Sequence, residues 1–174
     1  AGAAVGGLLN ALGGALGGPH RYAPVDFRTL AAMLPTSLNG LPRAATEGAN
    51  KQAMGVHASS ATARYGRGAA GVIEAKISDV SGVSGLIGIA GSLEQTVDSE
   101  SPDGFERDVQ VGGRRVHQKF TNADRHAELQ LFVGKRFEVD LDGHGVDMKA
   151  LERALSEIDL NRLEAMKDAN PLKQ

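Results

Sequence analysis

The stretch "GFERDVQVGGRRVHQKFT", residues 104–121, decides how the rest of the chain is read. Apolar and charged residues alternate on both sides of Gly112-Gly113, and a two-residue glycine turn between alternating runs is a strong short-range signal for a β-hairpin. Pairing Val111 with Arg114 sets Val109 opposite Val116 and Phe105 opposite Phe120. The same register sets Asp108 opposite His117 and Glu106 opposite Lys119. Apolar pairs fall on one face and complementary charges on the other, the cross-strand pattern that stabilises an antiparallel sheet.

Working outward, "HAELQLFV" (126–133) sends Ala127, Leu129, Leu131 and Val133 to the apolar face and brings Glu128 to Lys119. A two-residue turn at Gly134-Lys135 would set Leu131 against Glu138 and mix the faces. A three-residue turn, Gly134-Lys135-Arg136, aligns Leu131 with Val139 and Leu129 with Leu141, so parity selects the longer turn. "FEVDLD" (137–142) is then the last strand of a four-stranded meander, "GHG" (143–145) a turn, and Asp147 the cap of a closing helix. Met148, Leu151, Leu155 and Ile158 mark that helix's buried face; Leu160, Leu163 and Met166 mark a second helix, capped by Asp159.

Toward the N-terminus, "GVIEAKISD" (71–79) and "QAMGVHASSATARY" (52–65) read as two strands, with Ile73, Ala75 and Ile77 inward. "PVDFRTLAAMLP" (24–35) reads as a short helix capped by Asp26 and stopped by Pro35, and "TSLNGLPRAATEG" (36–48) as a turn-rich connection. Between the strand groups, Gly82, Gly85, Gly88 and Gly91 recur at a spacing of three. The run is not the G-x-G-x-x-G dinucleotide fingerprint and lacks the G-K-[ST] ending of a phosphate loop. Leu86, Ile89, Ala90, Leu93 and Val97 follow a helical stripe, so a middle helix on the sheet is expected there. The class is α+β: an antiparallel sheet of about six strands in a β-β-α-β-β-β-β core, packed with the middle helix and with N- and C-terminal helices. Residues 1–22 are set apart as a Gly/Ala/Leu-rich leader, and residues 23–170 as a single α+β domain.

Composition narrows function. A net charge of −2 and a pI of about 6.2 argue against a general nucleic-acid binder, which needs a basic surface to displace counterions from phosphates. Without cysteine there is no disulfide, zinc-thiolate site or thiol nucleophile. With no Trp, five Phe and two Tyr, stacking platforms for bases or sugars are scarce. The leader "AGAAVGGLLNALGGALGG" carries no charge. Asn10 and its glycines dilute it below a membrane span, and it lacks the basic start of a secretory signal. It is read as a stretch left after processing, with homo-oligomerisation through residues 1–18 as the alternative, since Gly13/Gly17 and Gly14/Gly18 have the small-xxx-small spacing of close helix contacts.

"PVDFRTLAAMLP" near the start and "VGKRFEVDLDGHGVDMKALERALSEIDLNRLEAM" near the end resemble a family of uncharacterised Gram-negative bacterial envelope or lipoprotein-like proteins. The resemblance spans roughly residues 24 to 167. Its most specific parts are G-K-R-F and the V-D-M…I-D-L…L-E-A-M ending. The element order is similar, more weakly, to the fold of the photosystem extrinsic protein PsbP and of the yeast Ran-release factor, which carries architecture and not function. The family resemblance implies a periplasmic or outer-membrane-associated setting, and it implies no catalytic residue and no cofactor.

Candidate sites are few. Around the turn, Asp140, Asp142 and Gly145 match positions 1, 3 and 6 of a calcium loop, but His144 stands at position 5 and Leu151 at position 12, where a bidentate Glu is required. Turn-plus-cap is therefore favoured over a metal site at Asp140, Asp142 and Asp147. The five histidines lie singly, without the H-E-x-x-H spacing of a zinc enzyme. His117 beside Asp108 is a His–carboxylate contact of the kind that orients a general base, but on an open, charged strand face a cross-strand ion pair is the usual explanation and is favoured over catalysis. Arg107 falls by register on the apolar face beside Gln118, where a buried charge requires a partner; a snorkelling arginine at the sheet margin is favoured over one that meets a carboxylate or a ligand. A ligand or partner surface is assigned to Arg107, Arg115, His117, Lys119 and Phe132. The favoured function is a non-enzymatic cell-envelope domain binding a protein partner or small ligand. The alternatives are a hydrolase or metal-dependent enzyme using His117 and Asp108, and a calcium-stabilised module at the 140–147 turn.

Overall fold

A computed structural model describes residues 22–53, 56–82 and 96–172. The leader up to residue 21 and the core of the expected middle helix, residues 83–95, lie outside the described residues.

The chain opens with helix α1 (Phe27–Ala31), whose N-cap Asp26 accepts a hydrogen bond from the Arg28 N–H. Strands β1 (Ser37–Leu38), β2 (Leu41–Ala53), β3 (Val56–Tyr65) and β4 (Val72–Gly82) follow, with a 3-10 turn (Gly68–Ala70) between β3 and β4. Then come β5 (Asp98–Ser101), β6 (Gly104–Val111), β7 (Arg114–Thr121), β8 (His126–Val133) and β9 (Phe137–His144). Helices α2 (Met148–Ser156) and α3 (Leu160–Ala165) close the fold. All nine strands form one antiparallel sheet in the order β1-β2-β3-β4-β9-β8-β7-β6-β5.

The class is as expected, but the sheet has nine strands and not about six. Residues 41–53 form a long strand where a turn-rich connection is expected, and Gln52 and Ala53 belong to it rather than to β3. The strand is hard to read because most of its side chains are exposed on both faces, so burial imposes no alternation. β5 is fully exposed and polar for the same reason. The turn before α2 is also shorter than "GHG". Gly143 and His144 pair with Ala127 and His126 on β8 and with Ile73 and Val72 on β4, leaving Gly145 (φ +71°) to turn the chain.

The hairpin register is that of the sequence, from Val111–Arg114 to Phe105–Phe120, with Gly112 and Gly113 both at positive φ. The β8–β9 turn has three residues, which aligns Leu131 with Val139 and Leu129 with Leu141. One core joins Ile73, Ala75, Ile77, Leu129, Leu131, Phe137, Val139 and Leu141 to Leu30 of α1, Leu151 and Leu155 of α2, and Leu163 of α3. The described helices therefore all contribute to one layer. Gly143 lets α2 approach, since a Cβ there would lie 2.5 Å from Val146 Cγ2 and 3.0 Å from Leu151 Cδ2.

A buried ion pair ties this layer together. Arg136 and Asp79 have side chains 3% and 0% exposed, with Nη2 2.7 Å from Oδ2. The Asp79 carboxylate also accepts from the Val25 and Ser81 N–H groups. Arg136 donates to the Ala23, Lys167 and Ala169 carbonyls. Two buried charges are tolerated because nearly all their hydrogen-bonding capacity is used. Arg136 thus joins the segment before α1, the end of β4 and the chain after α3.

Candidate functional site

The face of the sheet opposite the core is built by the outward residues of β4, β9, β8, β7 and β6. Register aligns them in rows. One row is Lys76, Asp140, Gln130, His117 and Asp108; the next is Glu74, Asp142, Glu128, Lys119 and Glu106. Phe132 lies beside Glu138 and is half-buried. A shallow cleft of about 200 Å³ opens on this face, lined by His117, Glu128, Gln130, Asp140 and Asp142 together with the backbone between them.

Two aspartates of the first row sit in opposed electrostatic environments. Burial opposes ionisation of Asp108, whose side chain is 7% exposed. Hydrogen bonds from Arg115 (2.7 Å), the Val97 N–H (2.8 Å) and His117 (3.1 Å) outweigh it and hold the carboxyl at about 2. At Asp140, burial and the neighbouring Glu138 carboxylate prevail over Lys76 and Gln130, and the carboxyl is pushed up to about 6.

Both ring nitrogens of His117 face carboxylates: Nδ1 lies 3.1 Å from Asp108 and Nε2 3.2 Å from Glu106. Asp108 in turn fixes the chain before β5 through reciprocal contacts with Val97. That arrangement locks a cross-strand ion pair, and it leaves no imidazole nitrogen directed at a substrate.

Of the surface residues expected from the sequence, Arg115, His117, Lys119 and Phe132 share the face opposite the described helices. Arg107 projects to the helix side. Its Nε donates to Gln118 (3.0 Å), Gln118 donates to Glu152 on α2 (2.8 Å), and the guanidinium stacks over Phe105. The partner that a charge at this register requires is this relay.

The three aspartates near the turn have different surroundings. Asp147 caps α2, accepting from the Ala150 N–H at 2.8 Å, and Asp140 lies in the cleft. Asp142 borders the same cleft and stands between two histidines: His126 Nε2 is 2.9 Å from Oδ2 and His144 Nε2 is 3.1 Å from Oδ1. The imidazoles of His126 and His144 stack with centroids 4.3 Å apart and planes 4° from parallel. Hydrogen bonding to Asp142 raises the His126 pKa above the ordinary imidazole value, against the opposing effect of burial. This cluster is missed in the sequence because a strand of eight residues was needed to make His144 a cross-strand neighbour of His126. Extending the parity of "FEVDLD" through Gly143 would have found it.

Among the described residues, no helix is long and apolar enough to cross a membrane. Comparison of the chain with family models, curated proteins and solved structures finds no match.

Proposed function

We propose that the protein is a non-enzymatic binding domain that receives a small ligand or protein partner on the open face of its sheet, at the cleft between His117 and Asp140. The observation that carries this reading is the division of the sheet: the described helices bury one face, and the other presents ordered rows of half-buried polar side chains around a concavity, with Phe132 among them. Pockets that combine a few convergent polar groups with a perturbed titratable residue are the default binding-site hypothesis for a fold. A hydrolase built on His117 and Asp108 is disfavoured, because both groups spend their hydrogen-bonding capacity on neighbouring strands.

Screening the ¹⁵N-labelled chain with a small-molecule fragment set tests this. Shift changes should cluster at His117, Gln130, Phe132 and Asp140. Perturbations confined to the helix layer, or hydrolysis of p-nitrophenyl acetate that is lost in His117→Gln, would overturn the reading. The envelope setting belongs to the same proposal on the sequence resemblance and is tested by cell fractionation. Self-association through residues 1–18 is tested by light scattering with and without that segment, and an unchanged mass would remove it.

A further inference from the structure

We propose that His126, Asp142 and His144, beside the cleft and sharing Asp142 with it, bind a divalent transition-metal ion of the zinc, nickel or copper class. Strand geometry brings the three together. Asp142 and His144 are two residues apart on β9 and so project to one face, and the register sets His126 of β8 directly opposite His144. Each residue offers one ligand atom, and these atoms all lie within 4.8 Å of one another.

The spacing of the ligand atoms is close to that around a bound ion, and the orientation of the rings is what must change. Zinc takes nitrogen and oxygen ligands at about 2.0–2.1 Å, which spaces tetrahedral neighbours about 3.3 Å apart. The two Nε2–carboxylate distances are 2.9 and 3.1 Å, so each widens by a few tenths of an ångström, while the rings, stacked 4° from parallel, rotate out of the stack to aim both Nε2 atoms at one ion. It takes the place of the proton shared between His126 Nε2 and the Asp142 carboxylate, and both ligating imidazoles are then neutral with their proton on Nδ1. On His126 that Nδ1 lies 3.5 Å from Glu128 Oε1, placing a carboxylate behind the ligating ring as in orienting carboxylate–histidine–metal arrangements.

Ligand chemistry sets the ion class. Two imidazole nitrogens and one carboxylate suit borderline divalent ions, whereas calcium requires six to eight oxygen ligands. The His144 side chain is 62% exposed and that of His126 21%, so an ion held here keeps a coordination position toward solvent. Water, or a donor group of a partner, would complete it.

The test uses the untagged full chain, stripped with EDTA and titrated with zinc by calorimetry, with cobalt absorption as a second readout of coordination. One zinc per chain is expected. His144→Gln and Asp142→Asn should each weaken it by at least about tenfold, and His57→Gln should leave it unchanged. Because His144 is exposed, H144Q is expected to match the wild-type melting temperature in EDTA, which separates ligand loss from misfolding. Absence of saturable zinc binding, zinc affinity unaffected by H144Q and D142N, or equal affinity for calcium would overturn the assignment.

Discussion

At the scale of single residues, the largest energetic stake lies in a pair that takes no part in binding. Removing one partner of a buried ion pair strands the other charge, at a cost of about 3–5 kcal/mol. Arg136→Ala and Asp79→Ala should each lose that much stability in urea denaturation. Arg136→Lys should recover little, since an ammonium cannot reproduce a guanidinium that reaches Asp79 and four backbone carbonyls. Arg136 was visible in the sequence only as a turn residue. Asp79 carried the clue, because it continues the inward parity of Ile73, Ala75 and Ile77, and a carboxylate on a buried face demands a cation. Asp108 supplies a second prediction, with a definite sign. Its folded-state carboxyl lies at about 2, below the unfolded value of about 4, so its contribution is present above pH 4 and lost as the pH falls toward 2. Asp108→Asn should therefore cost about 2 kcal/mol at pH 7, and the difference from wild type should shrink on approaching pH 2. An equal deficit at both pH values would show that the charge is not responsible.

At the scale of elements, legibility followed burial. The meander β6–β9 could be registered residue by residue because β7, β8 and β9 each carry buried residues on one face, where a one-residue slip would expose the apolar side chains, and the Gly112-Gly113 turn fixes half-buried β6 against β7. β2 and β5 carry no such constraint, and their polar sequences resemble loops. The end of β9 is an intermediate case. "GHG" has turn composition, yet backbone pairing with both β4 and β8 extends the strand through His144. Gly143 is retained there because α2 passes close above it. Gly143→Ala places a methyl group against Val146 and Leu151, and overpacking of this kind costs about 1–3 kcal/mol. A thermal melt equal to wild type would mean that α2 does not approach β9 as closely as described.

At the scale of the whole molecule, the proposed function rests on a sheet with two unlike faces. The sequence revealed which face was polar, since alternation alone sorts Glu128, Gln130 and Phe132 from Ala127, Leu129 and Leu131. The His126–Asp142–His144 cluster was hidden because the turn composition of "GHG" masks the end of β9, and the cleft because alternation assigns a side chain to a face without giving its depth. The absence of cysteine allows the division to be measured directly. Single cysteines placed in turn at positions 127 to 133 of β8 can be labelled with a maleimide under native conditions and again in urea. Fast native labelling of Glu128→Cys, Gln130→Cys and Phe132→Cys, with Ala127→Cys, Leu129→Cys, Leu131→Cys and Val133→Cys protected until unfolding, is the predicted result. Labelling without alternation, or with the two sets exchanged, would contradict an open binding face.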